Sequence, residues 1–211
     1  LGLPWQRLSM LWLVAGALWV LGAAVLLRGG VAGWPLLPRP LRLIGGMLVL
    51  LLAWLAASQA RIIGINFLLS ILVLVWVADI AAYFAGRAFG LKIARVRLAP
   101  TISPGKSWEG AWGGMAAVLL MAIAWSWVDQ STGAAVPSLY AHLAHRSWVL
   151  LVVGTLFLVS MSVAGDLLES LVKRSAGAKD SSQLLPGHGG VLDRVDALLP
   201  ALPLAMMLSS L

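Results

Sequence analysis

Apolar residues in this chain fall into long uninterrupted runs, and its polar residues collect in the joints between them. Six runs stand out: Leu8–Leu27, Leu43–Ala60, Ile62–Ala85, Ala111–Val128, Trp148–Ala164 and Ala197–Leu211. The first is uncharged and closes on Arg28-Gly29-Gly30; the third contains one acid, Asp79. A helix needs about 20 residues to cross the hydrocarbon core of a bilayer. The pattern therefore predicts an all-α, polytopic integral membrane protein with about six transmembrane helices, the sixth of them short. No fixed-period repeat and no low-complexity tract interrupts it, so residues 1–211 read as a single transmembrane domain.

Composition supports this class. Apolar residues make up 61% of the chain, charged residues 11%, and the mean hydropathy is +0.94. Soluble domains are about 45–50% apolar and about 25% charged, so a water-soluble fold would lack the polar surface to cover itself. The net charge of +7 does not indicate nucleic-acid binding, because the cations form no basic face and have no aromatic platform beside them. They mark topology instead. The first joint carries Arg28, Arg39 and Arg42, and the second only Arg61. The third carries Arg87, Lys92, Arg95, Arg97 and Lys106, the fourth only Arg146, and the fifth Lys173, Arg174, Lys179 and Arg194. Rich and poor joints alternate, which places the rich ones in the cytoplasm and both termini outside. Trp5, Trp108, Trp112 and Trp148 lie near run ends, where amphipathic rings favour the interface. His142 and His145 fall in the outer joint and read as surface residues. The chain has no cysteine, so disulfides, thiol nucleophiles and thiolate metal sites are excluded. It begins at Leu1 with no evident signal peptide, and is expected to be truncated at its N-terminus.

Two cytoplasmic joints, about 87–110 and 165–196, hold nearly all the chemistry. They flank the fourth and fifth runs and can converge on one membrane face. If the fifth helix continues past Ala164, Asp166, Glu169, Ser170 and Lys173 share one face. Asp193 and Asp196 sit three apart near the start of the last run, where carboxylates also suit a helix N-terminus. Mg²⁺ takes oxygen ligands and usually binds through one or two carboxylates plus substrate phosphates. Acids near hydrocarbon are costly without such a partner. Asp166 and Asp193, supported by Glu169 and Asp196, are thus the expected Mg²⁺ ligands. The Pro186-Gly187-His188-Gly189-Gly190 turn can bring backbone N–H groups close to a phosphate. The stretch Ser103-Pro104-Gly105-Lys106-Ser107-Trp108-Glu109-Gly110 is not a P-loop, since it lacks the spacing and no strand is predicted before it. It can still cradle an anion, with Ser107 as helix cap and Glu109 in the first turn. Asp79, within a spanning run, is expected to pair with Arg87 or Lys106.

These residues resemble a known family. Ser170-x-x-Lys173-Arg174-x4-Lys179-Asp180 followed by Leu185-Pro186-Gly187-His188-Gly189-Gly190-x-x-Asp193-Arg194-x-Asp196 is similar to the C-terminal motif of phosphatidate cytidylyltransferases, over some 27 residues with fixed gaps. The SPGKSWEG stretch, and Asp79 followed by Tyr83 and Gly86-Arg87, are also similar. The resemblance implies that CTP and phosphatidate give CDP-diacylglycerol and pyrophosphate, with Mg²⁺, at a cytoplasm-facing site in a multi-pass protein of the bacterial inner membrane, in a homodimer. The expected catalytic set is Asp166, Asp193, Lys179, Asp180 and His188. Expected substrate contacts are Asp79, Arg87, Ser103, Lys106, Glu109 and Ser170 together with Lys173, Arg174, Gly189, Gly190 and Arg194. CTP is assigned to the second joint, at Lys173, Arg174, Lys179, His188 and Gly189-Gly190. The phosphatidate headgroup is assigned to Ser103, Lys106 and Arg87, with Asp79 fixing one of those cations. Two other readings are a CTP-dependent polyprenol or dolichol kinase, which transfers the γ-phosphoryl group, and an ion-coupled transporter. The one-sided clustering of acids and the lack of an inverted repeat argue against the transporter.

Overall fold

The computed structural model describes residues 8–184 and 189–210. Among the described residues, five helices are long and apolar enough to cross a membrane. They are α1 (Ser9–Gly33), α2 (Arg39–Ile63), α3 (Ile65–Phe89), α4 (Trp108–Thr132) and α6 (Trp148–Ser175). At 1.5 Å per residue, helices of 25 to 28 residues are about 37–42 Å long and exceed the ~30 Å hydrocarbon core. Each outruns its apolar stretch because helix continues into the polar interface until a breaker stops it. Gly64 separates α2 from α3, and Gly133 ends α4 in the left-handed region at φ 62°.

The sixth run behaves differently from the expectation. It forms α8 (Leu198–Ser209), a helix of 12 residues, about 18 Å long and too short to span. Its side chains from Pro200 to Met206 are buried, and it packs against α1, α2 and α6. The bundle is thus five spanning helices around a short central one. Inside it, the Trp12 indole N–H donates to Gln59 Oε1 at 2.9 Å, tying α1 to α2. Such bonds, with close packing, hold helices together where lipid offers no hydrophobic drive.

The outer joint is also more structured than a surface loop. It folds into α5 (Leu139–Arg146), whose Leu139, Tyr140 and Leu143 are buried. Asp129 accepts from Asn66 and from the Ser138 backbone N–H, and the Tyr140 hydroxyl donates to the Ser70 carbonyl. His145 is exposed as expected, but His142 is half-buried, its Nε2 3.1 Å from the Ser209 carbonyl.

At the opposite end, the joint after α3 contains an antiparallel hairpin the sequence pattern missed, β1 (Arg97–Ala99) with β2 (Ser103–Ser107). A strand therefore does run directly into α4, although the P-loop spacing is still lacking. The hairpin packs through Ile102 onto Leu167 and Leu171 of α6 and Leu27 of α1. α7 (Leu192–Val195) leads into α8.

α3 and α4 make the closest helix pair, and small residues allow it. A Cβ on Gly114 would lie 2.9 Å from the Ala78 carbonyl, and one on Gly110 2.9 Å from that of Ala82. Gly114→Leu is expected to force the helices apart and cost about 1–3 kcal/mol, seen as a lower thermal midpoint in detergent. Gly22→Leu, where an added Cβ meets nothing within 4 Å, should leave the midpoint unchanged. Equal midpoints for the two variants would show that this contact does not limit stability.

Candidate active site

The two polar joints meet. Lys106, at the end of the hairpin, forms an ion pair with Asp166 on α6. Between them and α3 lies a cavity of about 600 Å³. Asp79, Arg87, Lys106 and Asp166 line its polar end, and Ala78, Ala82, Gly114 and Val163 are among those lining its apolar wall. Four of the residues singled out from sequence thus share one chamber. Asp79 is exposed into it and pairs with neither expected cation by direct contact. Arg87 donates instead to the Tyr83 hydroxyl at 3.2 Å, one helical turn away.

Asp196 does not line this chamber, but Gly165 lets its backbone come close to α6. A Cβ at Gly165 would lie 2.7 Å from Pro200 Cγ and 2.8 Å from the Asp196 carbonyl. Without that side chain, the start of α8 rests directly on α6 beside Asp166. Burial, and then the Asp166 carboxylate, push Asp196 up to about 7; Asp79 adds to this, while the Ala197 N–H and the Lys106 ammonium oppose it. Asp79 and Asp166 line the chamber together with Lys106 and Arg87, and only Asp166 is ion-paired with Lys106.

The other two acids belong to a separate cluster. Glu169 and Asp193 both pair with Lys173, the latter at 2.6 Å. The i,i+4 pairing of Glu169 with Lys173, and the 3.4 Å bond from Ser170 Oγ to Asp166 Oδ1, match the shared helix face that the spacing predicts. Asp193 also accepts from the Ser181 N–H and hydroxyl and, at 2.6 Å, from the Gly190 N–H. Burial opposes its charge, but the Lys173 ammonium, Glu169 and these backbone donors hold Asp193 well below the usual carboxylate range. The four acids expected around a metal thus divide: Asp166 lines the chamber with Asp79, Asp196 feels the charge of both without lining it, and Glu169 and Asp193 fasten Ser181 and Gly190 to α6 through Lys173. Among the described residues no three acid or imidazole side chains form a ready metal cage. Asp79 and Asp166, which line the chamber, nevertheless supply carboxylate oxygens of the kind a divalent cation takes when phosphate oxygens complete its shell.

The remaining candidates are placed as follows. Lys179 and Asp180 are exposed between the clasp and the end of α6, and Arg174 reaches the Ala178 carbonyl at 3.4 Å. Gly189 is left-handed at φ 81°, and Arg194 lies on α7. Ser103 begins β2. His188, with Leu185, Pro186 and Gly187, lies outside the described residues. Ser107 caps α4 by accepting from the Gly110 N–H, as expected. Glu109 does not face the chamber: it is buried and accepts from the Ile93 and Ala94 N–H groups at 3.0 and 2.8 Å. Sequence reasoning missed the clasp because its members are separated by a turn whose path periodicity cannot give.

The sequence model described as the cytidylyltransferase family matches residues 1–211. Among curated relatives, the phosphatidate cytidylyltransferase of Haemophilus influenzae is 47% identical over 140 residues, 66% of this chain and 44% of that protein. That of Pseudomonas aeruginosa is 42% identical over 164 residues, 77% of this chain and 55% of that protein. That of Brucella suis is 44% identical over 148 residues, 70% and 48% of the respective chains. The chain spans about half the length of the curated relatives it matches.

Proposed function

On the premise that this chain belongs to the cytidylyltransferase family, we propose that it joins CTP to phosphatidate, giving CDP-diacylglycerol and pyrophosphate in a Mg²⁺-dependent reaction. A phosphate oxygen of the lipid attacks the α-phosphorus of CTP. A new P–O bond forms there, and the bond to the β-phosphate oxygen breaks to release pyrophosphate. Nucleophile, reacting centre and leaving group are all anionic, so the protein's task is positioning and charge neutralisation. The observation that carries this reading is the chamber in which Lys106 meets Asp166, polar at the membrane-face end and apolar beneath.

Arg87 and Lys106 at the polar end suit the lipid phosphate, and the small apolar wall suits the first carbons of its tails. The exposed Lys179, with Arg174 and Arg194, suits the nucleotide phosphates, and the Lys173–Asp193 clasp holds that segment against α6. Asp166, with Asp79, would hold Mg²⁺, which when bound supplies neutralisation of phosphate charge and polarisation of the phosphoryl oxygens. The alternation of Lys/Arg-rich joints and the bacterial relatives support a cytoplasm-facing site in an inner membrane.

Radiolabelled CTP tests the reaction directly. In mixed micelles with phosphatidate, label on the α-phosphorus is expected in the lipid product and label on the γ-phosphorus in pyrophosphate. Transfer of γ-label to lipid would make the protein a lipid kinase. Label in neither lipid nor pyrophosphate would remove the reading.

A further inference from the structure

The segment between α3 and the hairpin carries cations without acids. No acid occurs from Ile80 to Trp108. Arg87, Lys92, Arg95 and Arg97 are all exposed, and none is in an ion pair among the described residues. Interleaved with them, Phe89, Leu91, Ile93 and Val96 expose 56%, 40%, 66% and 59% of their surface. In water, such a patch of neighbouring apolar side chains would be anomalous. At a bilayer surface, apolar side chains enter the acyl boundary while cations meet the headgroups.

The conformation that displays these side chains is built, not incidental. Leu91 and Arg95 both have left-handed backbone, at φ 63° and 57°, which is unfavourable for residues with a Cβ. Between them, the Ile93 and Ala94 N–H groups are captured by the buried Glu109 carboxylate from α4. Lys92 donates at 2.6 Å to the Ala88 carbonyl, the last turn of α3. The turn is thus pinned from beneath by one acid, and its outer side is left to Lys92, Ile93, Arg95 and Val96. Arg87 belongs to this cationic patch and also lines the chamber.

We propose that the 89–97 segment lies in the headgroup layer and, with the neighbouring Arg87, selectively gathers anionic phospholipid. The occupant is an anionic lipid headgroup at the bilayer surface, because four uncompensated cations complement its charge and the apolar side chains require hydrocarbon beside it. The inference does not depend on the reaction proposed above, since it concerns which lipids adjoin the segment.

The absence of native cysteine permits a clean test. An Ile93→Cys variant is labelled with bimane and reconstituted in vesicles containing either brominated phosphatidylglycerol or brominated phosphatidylcholine at the same mole fraction. Val96→Cys serves if the first variant does not fold. The anionic lipid is expected to quench about twofold more strongly, and the difference should shrink in high salt. It should also collapse when Lys92→Gln and Arg95→Gln are added. A label at Leu120, 70% exposed on α4, should be quenched equally by both lipids. Equal quenching at Ile93 would overturn the selectivity. Quenching by neither lipid would place the segment in water, as a surface for a soluble acidic partner.

Discussion

Asp166→Asn is expected to lower turnover by about two to three orders of magnitude while the protein folds normally. Asp166 is where the two joints touch: it pairs with Lys106, accepts from Ser170 and adds to the charge pressing on Asp196. Asparagine preserves the shape of the side chain and removes its charge. The Lys106 ammonium then loses the anion that holds it at the chamber wall, and the carboxylate group loses its central member. Stability should not fall, because the substitution also removes repulsion toward Asp196. An unchanged or higher thermal midpoint together with collapsed turnover is the expected pair of results. Ser170→Ala, which removes only one long hydrogen bond, should keep most of the activity. Near-parental turnover of Asp166→Asn at limiting Mg²⁺ would take this residue out of the chemistry.

Lys173→Met is expected to abolish activity by a different route. Its ammonium sits between Glu169 and Asp193, whose side chains are only 6% and 12% exposed. Removing one partner of a buried ion pair leaves uncompensated charge and costs about 3 kcal/mol or more, equivalent to roughly a hundredfold rise in the open population of the segment it fastens. That segment contains Ser181 and Gly190, which Asp193 holds through their backbone N–H groups. Trypsin cleavage after Lys179 should therefore accelerate as turnover falls. Adding Glu169→Gln to Lys173→Met removes one of the two stranded carboxylates, and should recover part of the thermal stability without restoring activity. Unaltered cleavage kinetics in Lys173→Met would show that the clasp does not control the segment.

The spanning helices could be read from the chain because lipid imposes a single requirement, an apolar stretch of sufficient length, that leaves a direct mark in sequence. The chamber was partly readable for a similar reason. Asp79 is a charge inside an apolar run, where hydrocarbon makes charge costly, while Lys106 and Asp166 stand at the edges of two polar joints expected on one membrane face, and all three line it. Roles within the polar joints were harder to read. Glu109 looked like a substrate contact, yet its partners are two backbone N–H groups 15 and 16 residues earlier, and a carboxylate binds a turn as readily as a ligand. Asp193 and Asp196 looked like one pair, but Asp193 is bound to Lys173 while Asp196 accepts from the Ala197 N–H at the start of α8. The hairpin escaped notice because strands of three and five residues with Pro and Gly among them carry no alternating pattern. α8 escaped because an apolar run does not reveal whether it faces lipid or protein.

The burial of α8 has a consequence for how the molecule is made. Each of the five long helices can partition into the bilayer on its own merits as it emerges during synthesis. A helix about 18 Å long cannot; it has a stable place only once α1, α2 and α6 have formed the seat it occupies. Asp196 lies just before that helix and feels the Asp166 charge, and its backbone carbonyl abuts Gly165, so seating α8 is also what brings this carboxylate to α6. Seating of α8 is therefore expected to be a separate and later step than insertion of the long helices it packs against.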